Sequence, residues 1–192
     1  MPQPAHIVKI ALPNHNDLDP DIQKYLSICV DKLGMAPNVL TAYTGSPQKF
    51  RNFSQFYNQL MLDEETTTLS PLDREMIAVV VSAANRCYYC LVAHGQAVRA
   101  LSGDTQLGEM MVMNYRVAEL PARQRVMLDF AWKLTTTPFD IGDPYRAPLR
   151  EAGFSDGDIF DITDVVAFFN YTNRMAHGLD MMPNAEYHAM NR

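Results

Sequence analysis

Apolar residues recur along most of the chain with the three- and four-residue spacing of amphipathic helices. In one early segment Tyr25, Ile28, Cys29 and Leu33 follow this spacing and end at Gly34. Such spacing places the side chains on one helical face, which a protein core can bury. The pattern predicts helices near residues 20–33, 37–45, 47–62, 71–85, 87–101, 104–114, 121–134, 144–152 and 156–178.

Proline and capping residues mark where several of these helices begin. A side chain able to cap stands directly before a proline three times, as Asp19-Pro20, Ser46-Pro47 and Ser70-Pro71. Proline suits the first helical position, where its missing N–H costs no hydrogen bond. Two later helix starts, at Ser70 and Ser155, also have an Asp three residues on, as in a capping box. Helix 144–152 is the weakest prediction because Pro148 falls inside it.

Strand patterns bounded by hairpin turns do not occur, so the predicted fold class is all-α. We interpret residues 20–192, which contain all of these helical segments, as one domain of about eight to nine helices. Residues 1–19 contain Pro2, Pro4 and Pro13 and are predicted to form an extended arm that packs on a neighbouring chain.

Composition narrows the classes of protein that the chain can belong to. Its 192 residues are 47% hydrophobic, and the net charge is −6 without a cluster of Lys or Arg. This composition argues against disorder, and the charge argues against nucleic acid or an anionic membrane as the main partner. The longest apolar run, Met76–Val81, is far shorter than the about 20 residues of a membrane span. Without a basic and apolar leader, we expect a cytoplasmic protein.

The three cysteines are too few, and odd in number, for a secreted disulfide framework. Cys29 lies on an apolar helical face and is predicted to be a core residue. Cys87 and Cys90 form a Cys-x-x-Cys pair at the start of a predicted helix, which brings the two sulfurs onto adjacent turns. The partial positive charge of a helix N-terminus lowers thiol pKa and favours the reactive thiolate. This pair is therefore the candidate reactive centre.

Two further residues have the spacing of a proton relay. His94 follows Cys90 by four residues on the same helical face, so it can take a proton from Cys90 more readily than from Cys87. If helices 71–85 and 87–101 pair antiparallel about a turn near Arg86, Glu75 lies within about one helical turn of His94. A carboxylate there can orient the imidazole, like the third member of a base-activated nucleophile.

The spacing Glu75, Cys87-Tyr88-Tyr89-Cys90, His94 resembles the AhpD-type alkylhydroperoxidase signature of the carboxymuconolactone decarboxylase superfamily. Weaker similarity to the peroxidase-related branch extends over three segments: Leu33-Gly34 followed by Pro37-Asn38, Leu149 to Gly153, and Phe169 to Arg174. The resemblance implies an all-helical fold with the Cys-x-x-Cys helix hairpin at its centre. It also implies assembly as homodimers, trimers or hexamers.

By this resemblance, Cys90 attacks a hydroperoxide and becomes a sulfenic acid, and Cys87 resolves it to a disulfide. Glu75 and His94 then relay protons, and an external dithiol or thioredoxin-like protein restores the thiols. No haem, flavin or metal is required. The chain departs from AhpD at Tyr89, where AhpD has a histidine. Tyrosine has an ordinary pKa near 10 and is a poor proton shuttle at neutral pH. Tyr88 and Tyr89 lie beside the thiols in the motif and are expected to line the pocket.

Two alternative functions fit the same residues. The dithiol can serve a thiol–disulfide oxidoreductase or redox sensor with little peroxidase activity, an alternative that the Tyr89 departure keeps open. The chain can also be a non-catalytic helical assembly protein, whose motif is a relic or binds zinc through Cys and His. Outside the motif, His177 is interpreted as a helix C-terminal cation or core hydrogen-bonding group. Asn170, Asn173 and Arg174 are interpreted as interface or internal capping residues.

Overall fold

The computed structural model describes residues 3–65 and 67–192, and all of the regular structure within them is helical. Nine α-helices occur in these residues: α1 Pro20–Leu33, α2 Asn38–Tyr43, α3 Pro47–Tyr57, α4 Pro71–Ala84, α5 Tyr88–Ser102, α6 Thr105–Asn114, α7 Ala122–Thr136, α8 Asp143–Glu151 and α9 Asp156–Gly178. The predicted all-α fold is confirmed. Apart from the end of α3, every predicted helix boundary lies within two residues of the observed one.

Helix α4 is the centre of the core. Residues Met76–Val81 have no solvent exposure at all. Helices α5, α7 and α9 pack around α4, so its apolar residues are covered on all sides. A helix that is apolar all round is stable only when it is surrounded in this way. Because Glu75 also lies on α4, this burial carries a carboxylate into the interior.

Helix α3 ends at Tyr57 and continues as a π-helical turn, Asn58–Leu62, where the sequence predicts continuous α-helix to residue 62. The buried side chain of Arg74 explains the difference. Its Nη1 donates to the carbonyl oxygens of Asp63, at 2.6 Å, and Leu60, at 3.4 Å. The guanidinium thus donates hydrogen bonds to two carbonyl groups at the end of this segment. Regular helical bonding would leave these carbonyl groups without a partner.

Only some of the predicted caps form. Ser70 accepts from the Asp73 N–H, and Ser155 makes a full capping box with Asp158. Helices α1 and α3 begin where predicted, but Asp19 and Ser46 make no side-chain cap hydrogen bond. The Asp19 carboxylate instead accepts from Arg51 at 2.5 Å, because this cation offers a stronger partner than a backbone N–H.

Two other sequence predictions have mixed outcomes. Helix α8 continues through Pro148, which lies in its second half. Cys29 is half-buried rather than enclosed, and it packs against the main core as a free thiol. Burial raises the pKa of the Cys29 thiol, which makes it a weak nucleophile at neutral pH.

The N-terminal segment lies along the C-terminal segment of the same chain. The Lys9 N–H donates to the Leu179 carbonyl at 2.8 Å, and the Met182 N–H donates to the Ile7 carbonyl at 2.9 Å. The first two residues of the predicted 1–19 arm lie outside the described residues. From residue 3 onward the arm is irregular except for a 3₁₀ turn, His15–Asp17. In the described parts of the chain, α-helices long and apolar enough to cross a membrane are absent.

Candidate active site

A tight turn between α4 and α5 places the Cys-x-x-Cys pair. The Cys87 N–H donates to the Ser82 carbonyl at 2.9 Å, and the Arg86 N–H donates to the Ala83 carbonyl at 3.1 Å. These two bonds define a Schellman motif, in which Arg86 adopts the left-handed conformation with φ of 54°. The chain therefore reverses within three residues, and Cys87 becomes the N-cap of α5.

Both thiols of the pair are free and almost fully enclosed. Cys87 is 1% exposed and Cys90 is 3% exposed. A hydrogen bond from the Cys90 thiol lowers the pKa of Cys87 to about 7, and the Cys90 backbone N–H adds to this effect against the opposing cost of burial. The same hydrogen bond, together with burial, raises the pKa of Cys90. Cys87 at the helix N-terminus is thus the main site of negative charge in the resting pair.

Glu75 and His94 face each other across the helix hairpin, as the antiparallel pairing predicts. Oε2 of Glu75 lies 2.6 Å from Nδ1 of His94, and both side chains are largely buried. A carboxylate only accepts hydrogen bonds, so Nδ1 carries the proton and Nε2 is left to accept. The edge-to-face contact of the imidazole with Phe169, at 4.6 Å between ring centroids, further fixes its orientation.

A polar strip on α9 holds the turn and one of the thiols. Asn85, at the end of α4, donates to Asn170 at 3.1 Å and to Asn173 at 2.9 Å. Asn173 is fully buried and donates to Ser82 at 3.1 Å. The hydrogen bond with Cys87 and burial raise the pKa of Cys90, while Asn173 and Ser82 act in the opposite direction and favour its charged form. The two asparagines on α9 therefore act as internal hydrogen-bonding residues between helices rather than as helix caps, and sequence reasoning missed their link to Cys90.

His177 extends the same strip toward the surface. Its Nε2 lies 3.0 Å from the carbonyl oxygen of Asn85 and donates to it. The charge of His177 also lowers the pKa of Cys87, in addition to the larger effect of the hydrogen bond from Cys90. Residues 170, 173 and 177 share one face of α9. Polar side chains at this spacing in an otherwise apolar helix are the sequence signal from which the strip could have been predicted.

The tyrosines of the motif occupy different surroundings. The Tyr89 hydroxyl accepts from the Val39 N–H at 2.9 Å, and its burial raises its pKa. Tyr89 therefore supports α2 as well as lying beside Cys90. Tyr88 is half-exposed and its hydroxyl contacts the side chains of Gln3 and His188. Tyr88 thus borders a surface cleft rather than an enclosed thiol pocket.

Two tyrosines distant in sequence approach the site, and sequence reasoning missed both. Burial and the negative charge of Glu75 raise the pKa of Tyr57, and Cys90 has the same effect on it. Burial and Glu75 also raise the pKa of Tyr187 to about 12. No feature of the sequence marks Tyr187, because it comes from the C-terminal segment and reaches the site only through the tertiary fold.

The terminal segments cover the thiols. Cys87 and Cys90 belong to a small apolar cluster that also contains Val8, Met35 and Met181. This cluster separates the sulfurs from bulk water and explains their low exposure. Among residues 3–65 and 67–192, groups of three or more His, Cys, Asp or Glu side chains arranged to hold a metal ion are not found.

Comparisons with known proteins identify the family of the chain. The model of the carboxymuconolactone decarboxylase family matches residues 47–126, which include α4 and α5. None of the curated proteins matches the chain. An uncharacterized peroxidase-related protein from Silicibacter sp. TM1040 is 57% identical over 100% of both chains, with a TM-score of 0.95.

Two other solved structures are similar to the chain. A protein from Ralstonia eutropha JMP134, described as an alkylhydroperoxidase AhpD core and an uncharacterized peroxidase-related protein, is 39% identical over 98% of both chains, with a TM-score of 0.93. The debrominase Bmp8 shares the fold alone, at 16% identity over 94% of both chains and a TM-score of 0.79. The chain therefore belongs to the carboxymuconolactone decarboxylase superfamily, among its AhpD-like, peroxidase-related members.

Proposed function

We propose that this protein is a thiol-dependent peroxidase that reduces hydroperoxides with the Cys87–Cys90 pair. The observation that carries the proposal is the pairing of two groups on one hairpin: a hydrogen-bonded dithiol, and a Glu75–His94 contact of 2.6 Å. The first supplies two electrons, and the second holds a proton where it can be delivered. The description of both similar proteins as peroxidase-related also supports this function.

The reaction balances with the residues of the site and one hydroperoxide. The attacking sulfur forms a bond to the outer peroxide oxygen, the O–O bond breaks, and the alkoxide leaves as an alcohol with a proton supplied through His94. The sulfur is then a sulfenic acid. The second thiol attacks this sulfur, its proton passes to the departing oxygen as the S–O bond breaks, and water leaves as the disulfide forms. The dithiol is oxidised by two electrons and the hydroperoxide is reduced by two.

We assign attack to Cys90 and resolution to Cys87. Cys90 shares a helical face with His94, and hydrogen bonds from Asn173 and Ser82 favour charge on its sulfur. Because Cys87 is the more acidic thiol at rest, attack by Cys90 requires that the proton between the two sulfurs move to Cys87. This transfer runs along an existing hydrogen bond, and it leaves Cys87 protonated until the resolving step.

The catalytic cycle needs an external reductant. A dithiol or a thioredoxin-like protein reduces the Cys87–Cys90 disulfide by thiol exchange, and a haem, flavin or metal has no step to perform. The cycle fits a reducing compartment such as the cytoplasm. We further propose that the protein acts as a homo-oligomer, a dimer, trimer or hexamer.

Single-cysteine variants test the mechanism. Cys90→Ser is expected to abolish consumption of an alkyl hydroperoxide. Cys87→Ser is expected to lose turnover but to form one sulfenic acid per chain, which a 1,3-diketone probe traps and mass spectrometry locates. Cys29→Ser is the matched control and is expected to keep full activity. Trapping at Cys87 in Cys90→Ser would reverse the two roles, and full activity in both single variants would exclude the mechanism.

A second candidate function, thiol–disulfide exchange, is favoured by one specific observation. The Cys87 pKa of about 7 provides a thiolate at neutral pH that attacks disulfides without any peroxide. The comparison of second-order rate constants for an alkyl hydroperoxide and for a small model disulfide separates the two functions. A peroxide rate no greater than that of the uncatalysed free thiol would leave the exchange function as the correct one.

A further inference from the structure

A cleft of about 300 Å³ lies beside the turn that carries the dithiol. Arg86, Tyr88, Leu91, Val112, Arg116 and Trp132 are among its lining residues. Its volume is at the lower end of the range for small-molecule sites, about 300–1,000 Å³. The cleft combines apolar and aromatic walls with a few charged groups, which is the usual composition of a ligand site.

The lining begins within one residue of each thiol. Arg86 and Tyr88 flank Cys87 in the chain, and Leu91 follows Cys90. Adjacent Cα atoms are about 3.8 Å apart. A ligand in the cleft therefore lies against the same turn that carries the sulfurs.

The cleft is positively charged although the protein as a whole carries −6. Two guanidinium groups line it, and none of its lining residues is an Asp or Glu. Arg116 lies over the rings of Tyr115 and Trp132, at 4.6 Å from each ring centroid, so its position is fixed by stacking. A fixed cation beside apolar walls attracts an anion that also has an apolar body.

Arg86 and Arg116 differ from the other arginines in the described residues. The side chains of these two make no hydrogen bond or ion pair with any other described residue, whereas each of the other arginines makes at least one. These other arginines contact the following partners: Arg51 with Asp19, Arg74 with Asp63, Arg99 with Tyr187, Arg123 with Asp73, Arg125 with Ala118, Arg146 with Asp143, Arg150 with Asp156, Arg174 with Asn170, and Arg192 with Glu109.

We propose that this cleft binds the carboxylate of an apolar or aromatic organic acid, with Arg86 and Arg116 as its anion-binding groups. The guanidinium fork matches a carboxylate, while Tyr88, Leu91 and Trp132 contact the apolar body. It follows, resting on the proposed peroxidase function, that the preferred hydroperoxides carry a carboxylate. The cleft then determines specificity, and the dithiol performs the chemistry.

Calorimetry with 4-phenylbutyrate tests the binding site without any need for turnover. Wild-type protein is expected to bind the acid, but not its neutral amide 4-phenylbutyramide. Arg116→Gln and Arg86→Gln are each expected to weaken binding about tenfold or more. Arg146→Gln, on α8 and not among the lining residues of the cleft, is the matched control and is expected to bind as the wild type does. Equal affinity in all variants, equal affinity for acid and amide, or inorganic phosphate that competes as well as the acid, would overturn the proposal.

Kinetics test the substrate class separately. An acid-bearing alkyl hydroperoxide is expected to have a higher kcat/KM than its methyl ester. Arg116→Gln is expected to bring the ratio of the two kcat/KM values close to one, whereas Arg146→Gln is expected to keep the wild-type ratio. If no hydroperoxide is reduced, the proposed function fails, and the calorimetry still decides whether the cleft binds acids. If acid and ester are reduced equally well by a protein that binds the acid, the cleft is not the substrate site.

Discussion

Nδ1 of His94 lies 2.6 Å from Oε2 of Glu75, although 19 residues separate them in the chain. The contact exists because α4 and α5 reverse at Arg86 and lie side by side. It holds one imidazole nitrogen on a carboxylate and leaves the other outside this contact, as the proposed proton relay requires. Geometry of this kind, with a base oriented by a third group, activates nucleophiles in unrelated folds.

Glu75→Gln tests whether that carboxylate has a role in the chemistry. The amide oxygen of glutamine can still accept from Nδ1, but the negative charge that stabilises a protonated imidazole is lost. We expect kcat/KM for hydroperoxide to fall about 10²-fold with little change in Tm. Asp73→Asn is the matched control, since Asp73 is a buried α4 carboxylate that accepts from Gln124. An equal loss in both variants would show that only packing had been disturbed.

The pH dependence of the thiols tests the electrostatics. The pKa of Cys87 is lowered to about 7, so its thiolate fraction rises as the pH increases through 7, below the range in which an ordinary thiol ionises. In a Cys29→Ser background, the rate of Cys87 alkylation by iodoacetamide is expected to have its midpoint near pH 7. Cys90→Ala removes the main hydrogen bond and is expected to move this midpoint upward. A midpoint near pH 9 in both proteins would contradict the assignment.

The elements that present the site were accessible from the sequence because local patterns determine them. Periodicity placed all nine helices, and the Glu75–His94 contact followed from treating α4 and α5 as an antiparallel pair. Both inferences depend on residues close together in the chain.

The surroundings of the site were not accessible, because they come from distant segments. The contact of Asn173 with Cys90 depends on how α9 crosses α4. Tyr187 reaches Glu75 only after the C-terminal segment has packed on α5. The π-helical turn after Tyr57 depends on the Arg74 guanidinium, and no local pattern in the turn itself indicates it.

Asn173→Ala tests the structural value of the polar strip on α9. Asn173 is fully buried and joins Ser82 to Asn85, so its loss leaves both side chains without this partner. Each buried unsatisfied polar group costs about 1–3 kcal/mol, and we expect a loss of about 2–4 kcal/mol in the free energy of unfolding. Urea titration measures it. Asn52→Ala, in the exposed face of α3, is the control and is expected to change stability by less than about 0.5 kcal/mol.

Arg86→Gly and Arg86→Gln together separate backbone strain from the guanidinium group. Arg86 has φ of 54° at the position of the Schellman motif where glycine is favoured. Glycine removes a left-handed strain of about 1–2 kcal/mol but costs about 0.5–1 kcal/mol of chain entropy, so Arg86→Gly is expected to be more stable than Arg86→Gln by about 0.5–1 kcal/mol. Thermal and urea unfolding of the two variants measure this difference.

Both variants lose the cation, so 4-phenylbutyrate binding is expected to weaken equally. A glycine variant no more stable than the glutamine variant would show that the turn imposes no strain on residue 86, and unequal binding would show that the backbone, not the guanidinium, determines affinity.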